Sequence, residues 1–275
     1  HALKEVKMPI ANINGVNLNY DITGQGKTIV LLHGYTGSAR YWANQTQILS
    51  PKYQIVALDL RGHGKSVAPS REEAYSVEIF TDDVFDLLKM LNIKRCCLVG
   101  FSLGGFIALQ FALEHQDMLA AMVLVGTSSG QFDKGQNYTE LRQKLDELAR
   151  SQSMNAAFEY DAANNPLRIA RFQKHPEQRE AMRQKMLQTS VDGYIYTAKA
   201  MEKWQPVTPR LAEITIPTLI CWGEEDLPFA EASQTLKRGI ADSKLVTFKD
   251  VGHALHEESP DLFNDTLLKF LTRID

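Results

Sequence analysis

Short, continuous apolar runs alternate with helix-like segments along most of this 275-residue chain, and that order limits the folds it can adopt. The apolar runs have the length of β-strands and occupy residues 27–32, 53–58, 95–99, 119–125, 218–222 and 244–248. Strands that alternate with helices predict a parallel sheet with helices on both faces. Such strands are buried on both sides, which explains why they are apolar throughout.

A hairpin is predicted before these strands. Residues 8–13 and 16–22 are β-like runs on either side of Asn14-Gly15, which is a favoured two-residue turn. Helices are predicted between the later strands, including an amphipathic one over residues 76–91 and another over 103–114. The sequence therefore indicates an α/β protein with a short antiparallel part at its start.

The strand pattern stops near Gly130 and resumes after Pro209. Three segments between these points are typical of helices: residues 140–149, 154–160 and 179–188. Gly, Pro and Asn interrupt the region at residues 164–166 and 191–193. We therefore predict an α/β core made of residues 1–130 and 210–275, and a helical cap over residues 131–209.

Composition and charge argue against several classes of protein. The formal net charge is −3 and no run of Lys and Arg occurs, so little in the chain attracts nucleic acid or an anionic membrane. No apolar stretch approaches the roughly 20 residues that span a bilayer. Cys96, Cys97 and Cys221 make a poor disulfide framework and are expected to be reduced core thiols. Reduced thiols suggest a cytoplasmic setting, and His1-Ala2-Leu3 shows no signal-peptide pattern. We expect a monomer or a homodimer.

Ser102 is the best candidate for a nucleophile. It lies in Gly100-Phe101-Ser102-Leu103-Gly104, and this pattern is weak alone because about 0.1 matches arise by chance in a chain this long. Here it follows the predicted strand 95–99 and opens the predicted helix 103–114, which is the setting of a nucleophile elbow. The glycines suit the tight turn because they lack side chains. The alternative is a structural serine in a glycine-rich turn.

A serine hydroxyl needs a base, and His253 is the best candidate among the 7 histidines. It comes just after the last predicted strand, hence at the carboxyl edge of the sheet, where active sites of open α/β sheets lie. His256 is the nearest competitor. We expect His256 to be structural or exposed, because Glu257-Glu258 follows it near the start of the final helix.

Two loops are predicted to supply the remaining parts of such a site. The base needs an orienting carboxylate, and Glu224, Glu225 and Asp226 all directly follow the predicted strand 218–222. The tetrahedral intermediate needs two backbone donors. We expect these to be the N–H of Leu103, after the nucleophile, and the N–H of Tyr35 in the glycine-rich loop 33–38.

At these positions the chain resembles the α/β-hydrolase superfamily. The resemblance covers nearly the whole chain outside the predicted cap and implies an eight-stranded, mostly parallel sheet with a helical cap after strand six. It implies no metal or organic cofactor, and it favours Asp226 as the acid because the family acid stands three residues after a glycine. Five ordered motifs carry the resemblance: His33-Gly34, Asp59-x-Arg61-Gly62-x-Gly64-x-Ser66, Gly100-x-Ser102-x-Gly104-Gly105, Gly223-x-x-Asp226 and Gly252-His253.

Other kinds of site fit the sequence poorly. The segment 253–257 reads His-Ala-Leu-His-Glu, in which the last two residues are in the wrong order for the zinc motif H-x-x-E-H. No G-x-G-x-x-G opens a helix, so a dinucleotide site is not expected.

Departures from specialised relatives narrow the activity. Epoxide hydrolases and haloalkane dehalogenases of this fold use an Asp nucleophile, in contrast to Ser102. Carbon–carbon hydrolases usually carry Asn where this chain has Phe101. Menaquinone-pathway synthases resemble the stretch 33–37 but carry Arg where this chain has Phe106. We therefore expect an ester, lactone or thioester with an apolar acyl part, bound in part by Tyr35 and Phe101.

The resulting hypothesis is a carboxylesterase-like serine hydrolase (EC 3.1.1) that forms an acyl-enzyme at Ser102 and acts on a small molecule. The alternatives are a carbon–carbon bond hydrolase or a synthase-like lyase on the same fold. A ligand receptor with slow turnover is the alternative of another class, because fold does not determine function. Most aromatic residues of the predicted cap are expected in its core, with two or three facing the pocket: Phe132, Tyr138, Phe158, Tyr160, Phe172, Tyr194, Tyr196 and Trp204.

Overall fold

The computed structural model describes residues 9–130 and 137–274. Within these ranges eight strands form one sheet in the order β1-β2-β4-β3-β5-β6-β7-β8. β1 and β2 are antiparallel, as are β2 and β4, and every other neighbouring pair is parallel. The strands are β1 (Ile10–Ile13), β2 (Val16–Thr23), β3 (Thr28–Leu32), β4 (Gln54–Leu58), β5 (Cys96–Phe101), β6 (Leu119–Val125), β7 (Thr218–Gly223) and β8 (Ser243–Phe248). The expected eight-stranded, mostly parallel sheet is confirmed.

The first hairpin forms as the sequence predicts. Asn14 and Gly15 have φ angles of 50° and 75°, the positive values that the favoured two-residue hairpin turns require. The predicted first strand began at Met8, which lies outside the described residues, as does His1-Ala2-Leu3.

Helices cover both faces of the sheet. In β3, Ile29 and Leu31 pack into one hydrophobic cluster while Val30 and Leu32 pack into another, so alternate side chains enter two cores. The helices in the described ranges are α1 (Ala43–Leu49), α2 (Val77–Met90), α3 (Leu103–His115), α4 (Tyr138–Ser151), α5 (Met154–Asn164), α6 (Pro166–Lys174), α7 (Gln178–Leu187), α8 (Val191–Lys203), α9 (Ala230–Gly239), α10 (Leu255–Glu258) and α11 (Pro260–Ile274).

Helices α4 to α8 lie between β6 and β7, and we call them the helical insertion. Two of them, α6 and α8, begin where the sequence suggested interruptions. Asn165 caps α6 by accepting the N–H of Leu167 at 3.0 Å, and Ser190 caps α8 by accepting the N–H of Gly193 at 3.0 Å. These polar residues therefore start helices instead of separating them.

Most aromatic residues of the insertion pack inside it or against the core, as predicted. Phe158, Tyr194 and Trp204 are buried, and Tyr138, Tyr160, Phe172 and Tyr196 are partly buried. Phe132 lies outside the described residues.

The three cysteines are buried, and none takes part in a disulfide, as predicted. In the described part of the chain, no helix combines the length and the apolar character needed to cross a bilayer.

Candidate active site

Ser102 lies at the sharp turn between β5 and α3. Its backbone has φ 52° and ψ −112°, a strained conformation for a residue with a side chain. Two hydrogen bonds hold it there: the Ser102 N–H donates to the Val125 carbonyl at 2.9 Å, and Thr127 Oγ1 donates to the Ser102 carbonyl at 2.8 Å. Strain of about 1–3 kcal/mol is therefore offset by neighbouring structure, and the serine stays at the carboxyl edge of the sheet.

The two glycines of the motif are required by close backbone contacts. A Cβ atom at Gly100 would lie 2.2 Å from the Gly104 carbonyl oxygen, and one at Gly104 would lie 2.4 Å from the Leu32 carbonyl oxygen. Both distances are impossible for real atoms, so the turn forms only with glycine at both positions. This is the physical origin of the Gly-x-Ser-x-Gly pattern in this chain.

The structure brings Asp226 and His253 together. Asp226 follows β7 and is buried, and its Oδ2 lies 2.6 Å from His253 Nδ1. Because a carboxylate accepts, Nδ1 carries the proton of the neutral imidazole and Nε2 presents a lone pair. The other two candidate carboxylates are engaged elsewhere: Glu225 pairs with Lys174, and Glu224 accepts the N–H of Asp250 at 3.4 Å.

Ser102 and His253 both lie beside the end of β6, since the Ser102 N–H donates to the Val125 carbonyl. Gly126 follows Val125, and a Cβ atom at Gly126 would lie 3.1 Å from His253 Nδ1. Among the described residues, no side-chain hydrogen bond joins Ser102 to His253. In unliganded hydrolases such bonds are often long and shorten only when substrate occupies the site.

Two phenylalanine rings pack against His253. Phe229 stacks on the imidazole with ring centroids 4.9 Å apart, and Phe101 approaches it at 4.9 Å with a tilt of 49°. Phe101 also lies 4.7 Å from the ring of His256. The Phe101 ring therefore lies beside the candidate base.

His256 is buried, with 2% of its surface exposed, so the structural interpretation holds and the exposed one is wrong. It belongs to the short helix α10, and the final helix α11 begins only at Pro260. Its imidazole stacks on Trp42 at 4.2 Å, and its Nδ1 has no hydrogen-bond partner among the described residues. Burial lowers the pKa of His256 to about 3, with smaller contributions from the charges of Lys185 and His253.

The glycine-rich loop after β3 passes beside Ser102. A Cβ atom at Gly34 would lie 3.1 Å from Ser102 Cβ. His33 Nε2 accepts the Leu60 N–H at 3.0 Å, so its Nδ1 donates to the Gly34 carbonyl at 2.8 Å. Burial lowers the pKa of His33, against the opposing effects of Asp59 and of the Gly34 carbonyl. A neutral, buried histidine thus braces this loop.

The two backbone N–H groups predicted to form an oxyanion hole belong to the loop after β3 and to the first residue of α3. The Leu103 N–H opens α3, where N–H groups have no partner inside the helix. No backbone hydrogen bond from the Tyr35 N–H occurs within the described residues. These are the two positions that the sequence suggested for an oxyanion hole.

The side chain of Tyr35 reaches into the helical insertion. Its hydroxyl donates to the Tyr194 carbonyl at 2.7 Å, and its ring stacks on that of Tyr194 at 5.4 Å. Arg142 donates to the same hydroxyl at 3.2 Å and lies over the Tyr194 ring at 4.2 Å. The charge of Arg142 is in turn balanced by Asp146, which lies 2.5 Å away. Sequence patterns did not identify Arg142, because nothing local marks it.

Glu258 is a second residue that sequence reasoning missed. Its carboxylate accepts the N–H groups of Gly252 and Ala254, the residues on either side of His253. It appeared in the sequence only as a charge near the final helix. Its spacing five residues after His253 is the local signal that could have drawn attention to it.

No group of three His, Cys, Asp or Glu side chains suited to a metal ion occurs in the parts of the chain that the structure describes.

Fold and sequence together define the class of protein. The pattern of the alpha/beta hydrolase fold family matches residues 27–260, and the chain belongs to this family. It is 31% identical to a 2-hydroxy-6-oxononadienedioate/2-hydroxy-6-oxononatrienedioate hydrolase of Escherichia coli K12, over 94% of this chain and 92% of that protein. It is 27% identical to a putative 2-succinyl-6-hydroxy-2,4-cyclohexadiene-1-carboxylate synthase of Bacillus subtilis strain 168, over 94% and 96%.

A similar solved structure is the enol-lactonase from Burkholderia xenovorans LB400. It superposes with a TM-score of 0.83 at 28% identity, covering 96% of this chain and 100% of that one. The chain thus belongs to a hydrolase family, and the names of these three relatives record different substrates and reactions.

Proposed function

We propose that this protein is a serine hydrolase that cleaves a carboxylic ester, lactone or thioester through an acyl-enzyme at Ser102. The observation that carries the proposal is the buried Asp226 held 2.6 Å from His253 Nδ1, beside the strained Ser102 turn. This arrangement leaves a basic nitrogen directed away from the carboxylate, as general-base catalysis needs.

The chemistry follows from the atoms in place. His253 Nε2 takes the proton of Ser102 Oγ as that oxygen attacks the carbonyl carbon, and Asp226 stabilises the resulting imidazolium. The N–H groups of Tyr35 and Leu103 stabilise the negative oxygen of the tetrahedral intermediate. The imidazolium then protonates the leaving alcohol or thiol, and a water activated by His253 releases the acid.

The helical insertion supports the role of a cap in this proposal. Its Ser190 Oγ donates to the Gly62 carbonyl at 3.2 Å, and its Tyr194 carbonyl accepts from Tyr35. Both contacts are with loops that follow parallel strands, hence with the edge that carries Ser102.

The substrate's acyl part is proposed to be largely apolar. Phe101 and Phe229 flank His253, and Phe106 is buried in a stack with Trp204 at 4.7 Å, so no cation occupies that position. The cation that contacts Tyr35, Arg142, is already paired with an acid. The similarity to an enol-lactonase agrees with a cyclic or linear ester.

A second candidate activity is the hydrolysis of a carbon–carbon bond, favoured by the 31% identity to the Escherichia coli hydrolase. The synthase of Bacillus subtilis supports a related lyase in the same way. Turnover of a 2-hydroxy-6-oxo-dienedioate faster than that of simple esters would replace the ester proposal with this one. A receptor would instead bind its ligand tightly with hardly any turnover.

Hydrolysis of p-nitrophenyl acetate and butyrate tests the proposal directly. Ser102→Ala should lower kcat by a factor of about 10⁴ or more, because the nucleophile is lost. Ser128→Ala is the matched control, since this serine is buried near the same edge but has no catalytic role in the proposal. A fluorophosphonate should label the wild type and the control but not Ser102→Ala. Equal esterase rates for wild type and Ser102→Ala would refute the proposal.

A further inference from the structure

One carboxylate holds the main chain on both sides of His253. Glu258, at the end of α10, accepts the Gly252 N–H at 2.9 Å through Oε2 and the Ala254 N–H at 3.0 Å through Oε1. Hydrogen bonds to an ionised acceptor are stronger than those between neutral groups. The loop that carries His253 is thus fixed at two peptide groups, the one before Gly252 and the one after His253.

Gly252 permits this close approach. A Cβ atom at this position would lie 2.8 Å from Glu258 Oε2 and 3.1 Å from Oε1. Any larger residue would push the carboxylate away from the N–H groups that it binds. The close contact with the Glu258 carboxylate therefore explains why a glycine precedes His253, and the sequence alone does not show this contact.

The helical insertion supplies the charge that balances Glu258. Arg171 of α6 lies with its Nη2 2.5 Å from Glu258 Oε1, and both side chains are mostly buried. Burial alone would raise the pKa of Glu258. The positive charge of Arg171 and the two backbone N–H groups outweigh burial and hold that pKa below its usual range. The carboxylate is therefore ionised near neutral pH.

The adjacent Glu257 has no such role. Its carboxylate pairs with Lys185 of α7, which also lies over the Tyr41 ring at 4.2 Å. It makes no described hydrogen bond to the backbone around His253. Two neighbouring glutamates thus each bind a cation of the insertion, but only Glu258 also binds the loop.

We infer that Glu258 is a positioning residue for His253, and that Arg171 makes this positioning depend on the helical insertion. The inference rests on the proposed role of His253 as the general base. Asp226 fixes the imidazole at Nδ1, and Glu258 fixes the main chain from which the imidazole extends. The location of Nε2 relative to Ser102 is thus determined from both ends of the residue.

Glu258→Gln removes the charge and one of the two acceptor oxygens while it preserves size. Glu257→Gln is the control, with the same substitution one residue earlier. We expect kcat for p-nitrophenyl butyrate to fall by about 10- to 100-fold in Glu258→Gln with KM nearly unchanged, because small displacements of a catalytic group cost rate more than binding. Glu257→Gln should stay within about twofold of wild type.

Amide hydrogen exchange by NMR provides a measurement that does not depend on turnover. The N–H groups of Gly252 and Ala254 should exchange about fivefold faster or more in Glu258→Gln than in Glu257→Gln, as expected for a lost hydrogen bond. Equal exchange rates in the two variants, or equal kcat values, would overturn the inference. Esterase activity equal in wild type and Ser102→Ala would instead refute the proposed function, and the exchange rates would still decide whether Glu258 holds the loop.

A second pair of variants decides the question if Glu258→Gln does not fold. Arg171→Gln leaves both loop hydrogen bonds possible but removes the balancing charge, and Lys185→Gln removes the corresponding partner of Glu257. Faster exchange at residues 252 and 254 in Arg171→Gln than in Lys185→Gln supports the inference. Equal rates in these two variants overturn it.

Discussion

Acid should destabilise this protein in part through His256. Its imidazole is buried against Trp42, and its Nδ1 finds no hydrogen-bond partner in the part of the chain that the structure describes. Burial lowers its pKa from 6.5 to about 3 in the folded protein. Well above pH 6.5 the histidine is neutral in both the folded and the unfolded state, so it makes no pH-dependent contribution to stability there. As the pH falls below 6.5, the unfolded chain takes up a proton that the folded protein does not, so stability is lost.

The size of this effect follows from the two pKa values. Between pH 7 and pH 5 the unfolded state goes from about one quarter protonated to almost fully protonated at His256, a gain of about 0.7 proton, while the folded state gains almost none. A pKa difference of one unit corresponds to about 1.4 kcal/mol, so this histidine should lower the free energy of unfolding by about 2 kcal/mol over the interval. His63, whose pKa burial likewise lowers to about 3, adds a similar loss of its own.

His256→Phe isolates the contribution of this one residue. Phenylalanine can keep the stack on Trp42 and loses no hydrogen bond at Nδ1. Urea unfolding at pH 7 and at pH 5 should show that the stability difference between the two pH values is about 2 kcal/mol smaller in this variant. His63 and all other groups cancel in the comparison.

His115→Phe is the control for that measurement, because it makes the same substitution at a histidine that stacks on Phe85 at the end of α3 and keeps part of its surface in water. The loss of stability between pH 7 and pH 5 should be smaller in His256→Phe than in this control. The reasoning would be refuted if His256→Phe lost as much stability between pH 7 and pH 5 as wild type does.

Three further substitutions have signs that the structure determines. Asp226→Asn should lower kcat about 10⁴-fold with an unchanged melting temperature, because an amide favours the wrong imidazole tautomer, and a loss below tenfold would contradict the assigned role. Arg61→Met should lower the free energy of unfolding, measured in urea, by about 3–5 kcal/mol. It removes two 2.6 Å hydrogen bonds to the buried Asp83 carboxylate and leaves that charge without its cation. Addition of Asp83→Leu should recover most of that loss, and no recovery would contradict the explanation. Gly193→Ala should lower the melting temperature, although alanine favours helices, because the added Cβ would lie 2.0 Å from the Gly62 carbonyl oxygen. A higher melting temperature would contradict this packing.

Local patterns in the sequence predict the sheet, Ser102 and His253, whereas only the resemblance to the family separates Asp226 from Glu224 and Glu225. The central parallel strands β3, β5 and β6 are nearly continuous apolar runs because both of their faces are covered, whereas the edge strand β8 contains polar residues and is mostly only partly buried. Ser102, Asp226 and His253 each follow a strand directly, so their arrival at one edge of the sheet follows from the topology. Strand boundaries in the structure differ from the predicted ones by one or two residues.

Contacts between distant segments could not be predicted in this way. Arg171 and Glu258 are 87 residues apart, and no local sequence pattern around either residue indicates that the two form an ion pair. The predicted interruption at residues 191–193 is wrong for a related reason: Gly193 looks like a helix breaker, yet it lies in the first turn of α8, where the backbone of Gly62 packs against it. Both features, the ion pair and the glycine inside a helix, depend on tertiary packing, which a local sequence pattern does not reveal.

The helical insertion and the candidate triad are linked by charge as well as by packing. Lys174 of α6 binds Glu225, which precedes Asp226, and Arg171 of the same helix binds Glu258, which holds the loop of His253. One helix therefore contacts the loops of both the acid and the base. Lys174 and Glu225 are more exposed than Arg171 and Glu258, and exposed ion pairs contribute little energy, so the buried pair is the stronger link. A change in the insertion that displaced Arg171 would thus alter the position of His253 without replacing any residue of the candidate triad. The insertion, which would select the substrate, is in this way coupled to the candidate triad, which would cleave it.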